Sequence, residues 1–98
     1  MVKGGYVYVA LPDHIYKYHV GTKELVRKQL HLLTEVVAID RTDTGLLVLG
    51  VDSLGTGSLV LFKYDSLEIV STHSIGSSKP SCMKSVGSNG REFVFLRY

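Results

Sequence analysis

The sequence predicts an all-β domain assembled from antiparallel units of about four strands each. Three observations point there. Short runs of Val, Leu, Ile, Tyr and Phe alternate with clusters of Gly, Asp, Ser and Pro along almost the whole chain, the pattern of strands joined by tight turns. The turn clusters draw on ten glycines in 98 residues. Segments roughly 45 residues apart also resemble one another, a spacing that marks a repeated structural unit.

The composition suits one globular domain, with residues 5–40 and 41–98 as its approximate repeat units. Hydrophobic residues make up 45% and charged residues 20%, which favours a packed core over disorder. The formal charge of +2 comes from scattered positions, too dilute to imply a nucleic acid or an anionic membrane. A single cysteine, Cys82, leaves no intrachain disulfide to hold the fold. It stands beside Met83 and is expected to pack as a small apolar group. No apolar run reaches the roughly 18–20 residues needed to cross a bilayer. The N-terminal order of residues is not that of a signal peptide, so a cytoplasmic location is expected.

Along the chain, "GYVYVAL" opens as a nearly continuous apolar strand and "PDH" turns it. "IYKYHV" follows, then "GTKE". The next stretch, "TKELVRKQLHLLTEVV" from Thr22 to Val37, has two readings. Val26, Leu30, Leu33 and Val37 recur at spacings of four and three, opposite Arg27, Lys28, His31 and Glu35, as on an amphipathic helix that Thr22 would cap. Yet "TKELV" matches "SLEIV" at Ser66 to Val70, and "EVVAID" reads as a strand. Strands are preferred; an α+β domain with a helix near 22–37, or a β-sandwich, is the alternative. Beyond it, "RTDTG" turns into "LLVLGV", and "DSLGTGS" into "LVLFKY". Continuous apolar strands of this kind are covered on both faces. "LEIVSTHSI" instead alternates and grows polar, as an outer strand does. "GSNG" then leads into "REFVFLRY".

The internal matches extend further. "YVYVA" corresponds to "LLVLG", and "VVAIDRTDTGLLVLG" to "CMKSVGSNGREFVFL". Tyr16-Lys17-Tyr18 resembles Phe62-Lys63-Tyr64. Units of this length with four strands each have the period of a β-propeller blade. Ser58 to Tyr98 resembles a YVTN or quinoprotein-type propeller repeat. The matching residues are Tyr64-Asp65-Ser66-Leu67, Ile75-Gly76, Pro80 and Asn89-Gly90 before "REFVFLRY", although "FLRY" replaces the usual last element and "GSNG" the usual turn. The resemblance implies about two four-stranded blades, with about nine strands in all. A ring takes at least about four blades, so closure through assembly of several copies is expected. The apolar first and last strands are the natural surfaces for it.

Reactive constellations are weak. His14 and His19 point to opposite faces of one strand and do not share a metal. "DRTDTG", Asp40 to Gly45, lacks the ligand pattern of a calcium loop and reads as a turn braced by its own side chains. Gly55-x-Gly57 leads into a strand and has no lysine of a phosphate loop. Lys17 is expected to reach solvent between tyrosines that cover neighbouring sheets. The expected function is therefore a non-enzymatic binding or structural module without metal or cofactor, presenting a rim of loops to a protein or other macromolecule. On the propeller template that rim gathers Asp13, His14, Asp52, Thr56, Ser78 and Lys79. Nucleic-acid binding by an oligomeric basic surface and a small-ligand, lectin-like site between blades are the alternatives.

Overall fold

The computed structural model describes residues 2–76, 80–88 and 91–97, and among these the regular elements are all strands. Ten strands run in sequence: β1 (Val2–Lys3), β2 (Tyr6–Ala10), β3 (His14–His19), β4 (Leu25–Gln29), β5 (Glu35–Arg41), β6 (Leu46–Val51), β7 (Gly57–Phe62), β8 (Ile69–Gly76), β9 (Cys82–Ser88) and β10 (Arg91–Arg97). Each pairs antiparallel with its neighbour in three meanders. These are β1-β2-β3-β4, β5-β6-β7-β8 and the hairpin β9-β10. The tenth strand, against about nine expected, is the two-residue β1.

The helix alternative over 22–37 does not form. Residues 25–29 and 35–41 are strands, and the helix-like spacing has another origin. Leu30 and Leu33 lie in the connection between the first two sheets and are buried in the core, while Val26 is exposed on β4. The four apolar residues therefore share no face. Leu33 is seated by the absence of a side chain at Gly50, where a Cβ would collide with the Glu35 carbonyl oxygen and meet Leu33 Cδ1 at 2.7 Å.

Register determines how the sheets face one another. On β6 and β7, Leu46 stands opposite Phe62 and Val48 opposite Val60. This face is wholly buried and joins Tyr8 and Ile15 of the first sheet in one apolar cluster. The opposite face carries Leu47, Leu49, Leu59 and Leu61. There Val94 of β10 lines a gap together with Leu47, Leu59 and Leu61, and β9 runs closest to β5. The β5–β8 sheet is thus the middle layer, which explains why "LLVLGV" is apolar without alternation. Its last strand, β8, is mostly exposed, as is β4 of the first sheet. The first sheet passes to the second through residues 30–34, between β4 and β5.

Most internal matches occupy equivalent places. "YVYVA" and "LLVLG" are the second strands of their sheets, and the longer matched segments are the hairpins β5-β6 and β9-β10. The agreement is closest in the turns before β4 and β8. The amide of His19 donates to Glu24 O and that of Lys23 to His19 O; the amide of Lys63 donates to Glu68 O and that of Leu67 to Lys63 O. Thr22 and Ser66 hydroxyls each accept the amide two residues on. Lys23 and Leu67, at matched positions, both adopt positive φ, 62° and 59°. This register pairs His19 with Lys63, so Tyr16-Lys17-Tyr18 is equivalent to Val60-Leu61-Phe62. The aromatic-Lys-Tyr similarity is two residues out of step with the fold.

The two left-handed residues differ in what supports them. Lys23 is exposed, whereas Leu67 is completely buried in the core. The left-handed conformation costs roughly 1–2 kcal/mol for a residue with a Cβ, and burying a leucine offsets it by about 1.5–3 kcal/mol. Lys23→Gly is expected to stabilise the fold by roughly 0.5–1 kcal/mol, and Leu67→Gly to destabilise it by about 2–4 kcal/mol. Urea unfolding of the two variants measures both; equal effects would contradict the assignment of Leu67, and not Lys23, to the core.

Candidate functional site

The loops that join strands in these meanders gather at two opposite edges. At one edge lie the β2-β3 turn, the β6-β7 turn and the inter-sheet connection 30–34. Hydrogen bonds tie them together. The Leu30 amide donates to Asp13 O at 2.8 Å, and the Thr34 amide donates to Val51 O at 2.7 Å. The Thr34 hydroxyl lies within hydrogen-bond reach of Val51 O and Asp52 O. Asp13, His14, Asp52 and Thr56 therefore sit along one edge, in two turns braced by a common loop. Ser78 and Lys79 lie outside the described residues.

Each of the four has local work. His14 Nδ1 is 3.2 Å from Asp13 Oδ2. Asp52 Oδ1 accepts the amides of Leu54 and Thr56, both at 2.9 Å, and the Asp52 amide donates to Thr56 O. This is an Asx-type turn, in which a short carboxylate replaces backbone acceptors. Asp52 and Thr56 thus hold the shape of the rim.

A concave site lies at the other edge, between the first and second sheets. Tyr6, Tyr8 and Lys17 come from one sheet, Tyr64 and Asp65 from the β7-β8 turn of the next, and Gly4 from the β1-β2 turn. Register puts the first three side by side: Tyr8 is opposite Lys17, and Tyr6 opposite His19. Lys17 is only 8% exposed. Its ammonium donates to Asp65 O at 3.3 Å and lies 4.3 Å from the centre of the Tyr6 ring. The expectation that Lys17 reaches solvent is overturned. On β3 it is Ile15 and Lys17 that point to the neighbouring sheet, while Tyr18 faces outward and is exposed. The four-carbon stem carries the charge along the core to the edge.

Tyrosines surround this ammonium. The Tyr8 and Tyr64 rings are 5.7 Å apart and tilted, and Tyr6 packs edge-on against His19 at 4.6 Å. The Tyr64 hydroxyl donates to Thr42 O and accepts the Thr42 amide at 3.0 Å, so the β5-β6 turn fixes it. That turn is braced as the sequence predicts: the Thr42 hydroxyl accepts the amides of Thr44 and Gly45. Burial raises the pKa of the Tyr8 hydroxyl above its ordinary value, with the neighbouring Tyr64, Tyr6 and Asp65 adding to the shift.

The sequence contained a partial signal for this site. Tyr6 and Tyr8 alternate on one strand, which places both rings on one face. What it did not contain was the approach of Tyr64 and Asp65, from a turn 48 residues beyond Lys17. Elsewhere, the gap between the second and third sheets is lined by Leu47, Leu59, Leu61 and Val94, with Thr42, Ser71 and His73 as its polar residues. Cys82 is exposed at the start of β9 rather than packed, as was expected. Among the described residues no three His, Cys, Asp or Glu side chains come together as a metal site, and no helix is long and apolar enough to cross a membrane. Comparison with protein-family models, curated proteins and solved structures finds no match.

The Tyr8 environment has a consequence in alkali. An unfolded tyrosine ionises near 10.0, and the folded state holds the proton more tightly. Stability linked to Tyr8 is therefore intact below that pH and is lost as pH rises through the higher folded value. Unfolding midpoints measured from pH 8 to 11 (roughly the tyrosine range) are expected to fall less steeply at the top of the range in Tyr8→Phe than in the parent chain. Parallel curves would contradict the assignment.

Proposed function

We propose that the chain is a non-enzymatic binding and structural module of β-propeller type, that further copies complete its stack of sheets, and that its loop rim meets a macromolecular partner. The observation that carries this reading is the contrast between the middle sheet and the two ends. The middle sheet is covered on both faces. The outer face of the first sheet bears Val9, Tyr18 and Leu25, the last 60% exposed, and the outer side of the β9-β10 hairpin bears Phe95, 62% exposed. Apolar side chains grouped on a sheet face are suited to covering by another sheet. Head-to-tail addition of copies would bring one such face against the other.

The rim around Asp13, His14, Asp52 and Thr56 is the surface proposed for the partner, because its turns are held rigid by their own hydrogen bonds and leave side chains of Leu11 and Leu54 exposed there. A basic nucleic-acid surface is less favoured. Lys17 is buried, and Lys63 lies 3.9 Å from Glu68, so the two lysines best placed to recur in an assembly are both engaged.

Light scattering after size exclusion tests the assembly. The parent chain is expected to give one discrete multimer at low and at high salt, and Leu25→Glu a folded monomer. The exposure of Leu25 makes the change tolerable in the fold, while a carboxylate buried in an apolar contact is costly. A monomeric parent chain would overturn the proposal.

A further inference from the structure

We infer that the pocket between the first two sheets, centred on Lys17, binds a small monocarboxylate with a flat aromatic or CH-rich body. Its recognition rests on a charge that no carboxylate among the described residues approaches within ion-pair distance. Lys17 is more than nine-tenths buried, yet among the described residues it forms no ion pair. Its described partners are a single carbonyl oxygen, that of Asp65, and the face of Tyr6. An ammonium has three donors. A cation with so few protein partners is stabilised by an anion that enters beside it.

The surroundings narrow the anion. Lys17 is the one cation among the described residues lining the pocket, and the exposed Asp65 stands at its mouth. One positive charge beside a carboxylate matches a monoanion and disfavours a phosphate dianion. The rings of Tyr6, Tyr8 and Tyr64 form the other walls, and tyrosine faces take flat or CH-rich bodies by stacking. The cavity, about 260 Å³, lies just under the roughly 300–1,000 Å³ of sites for drug-sized ligands, so the occupant is small. Aromatic acids and sugar acids share this chemistry.

The site is separate from the loop rim at the opposite edge and does not depend on assembly. The experiment is a two-dimensional amide NMR titration of the whole chain with benzoate and with glucuronate, which distinguish the two sources, against benzamide and inorganic phosphate. Saturable shifts at Gly4, Tyr6, Tyr8, Lys17 and Tyr64 with at least one carboxylate, and none with benzamide or phosphate, are expected. Lys17→Met keeps the stem and removes the charge; it is expected to weaken binding by about tenfold or more. Should that variant fail to fold, Asp65→Asn decides, because removing the carboxylate at the mouth is expected to tighten binding about two- to threefold. The inference is overturned if neither carboxylate binds, if benzamide or phosphate binds as well, if a folded Lys17→Met binds equally, or if Asp65→Asn leaves the affinity unchanged.

Discussion

The constraint on which the rest depends is that the β5–β8 sheet must be covered on both faces. Its central strands present Leu46, Val48, Val60 and Phe62 to one side and Leu47, Leu49, Leu59 and Leu61 to the other. Burying one such side chain is worth roughly 1.5–3 kcal/mol, so no arrangement that leaves either face in water competes. The first sheet supplies Tyr8 and Ile15 to one face, and the β9-β10 hairpin supplies Val94 to the other. The connections follow from this stacking. Leu30 and Leu33 close the core where the chain passes from one sheet to the next, and Gly50 leaves room for that passage.

The same stacking creates the Lys17 pocket. Two twisted sheets in face contact diverge toward their edges, and at one edge the space between them is filled by tyrosine rings and a lysine stem rather than aliphatic side chains. Tyr64 belongs to both descriptions. Its ring packs against the core, and its hydroxyl locks the β5-β6 turn through Thr42. Packing and recognition therefore share residues here, whereas at the opposite edge the aspartates mostly shape turns. The equivalent left-handed turns at Lys23 and Leu67 illustrate one backbone solution used twice, with a polar residue where the turn is exposed and an apolar one where the turn joins the core against the first sheet.

Much of the fold was legible because covered strands leave a composition that few alternatives produce. "LLVLGV" without alternation and "LEIVSTHSI" with it distinguished the inner strand from the outer one. The matched segments "TKELV" and "SLEIV" lie at the turns into β4 and β8. Residues 22–37 were ambiguous for a physical reason: apolar residues in a core-plugging loop reproduced a helical spacing by position alone. Lys17 was misread because a lysine between tyrosines ordinarily goes to water, and only the neighbouring turn, far along the chain, gives its ammonium a carbonyl. Asp13, His14, Asp52 and Thr56 lie in two turns at one edge, whereas the tyrosine-lined pocket required the distance between two sheets, which no local pattern carries.

Native-state hydrogen exchange, read residue by residue, tests the central claim most directly. If the middle sheet is covered on both faces, the amides of β6 and β7 should exchange slowest, at rates set by global unfolding, while those of β4 and the outer half of β8 exchange faster through local opening. Equal protection across all strands, or slowest exchange in β4 or β8, would contradict a stack built around that sheet.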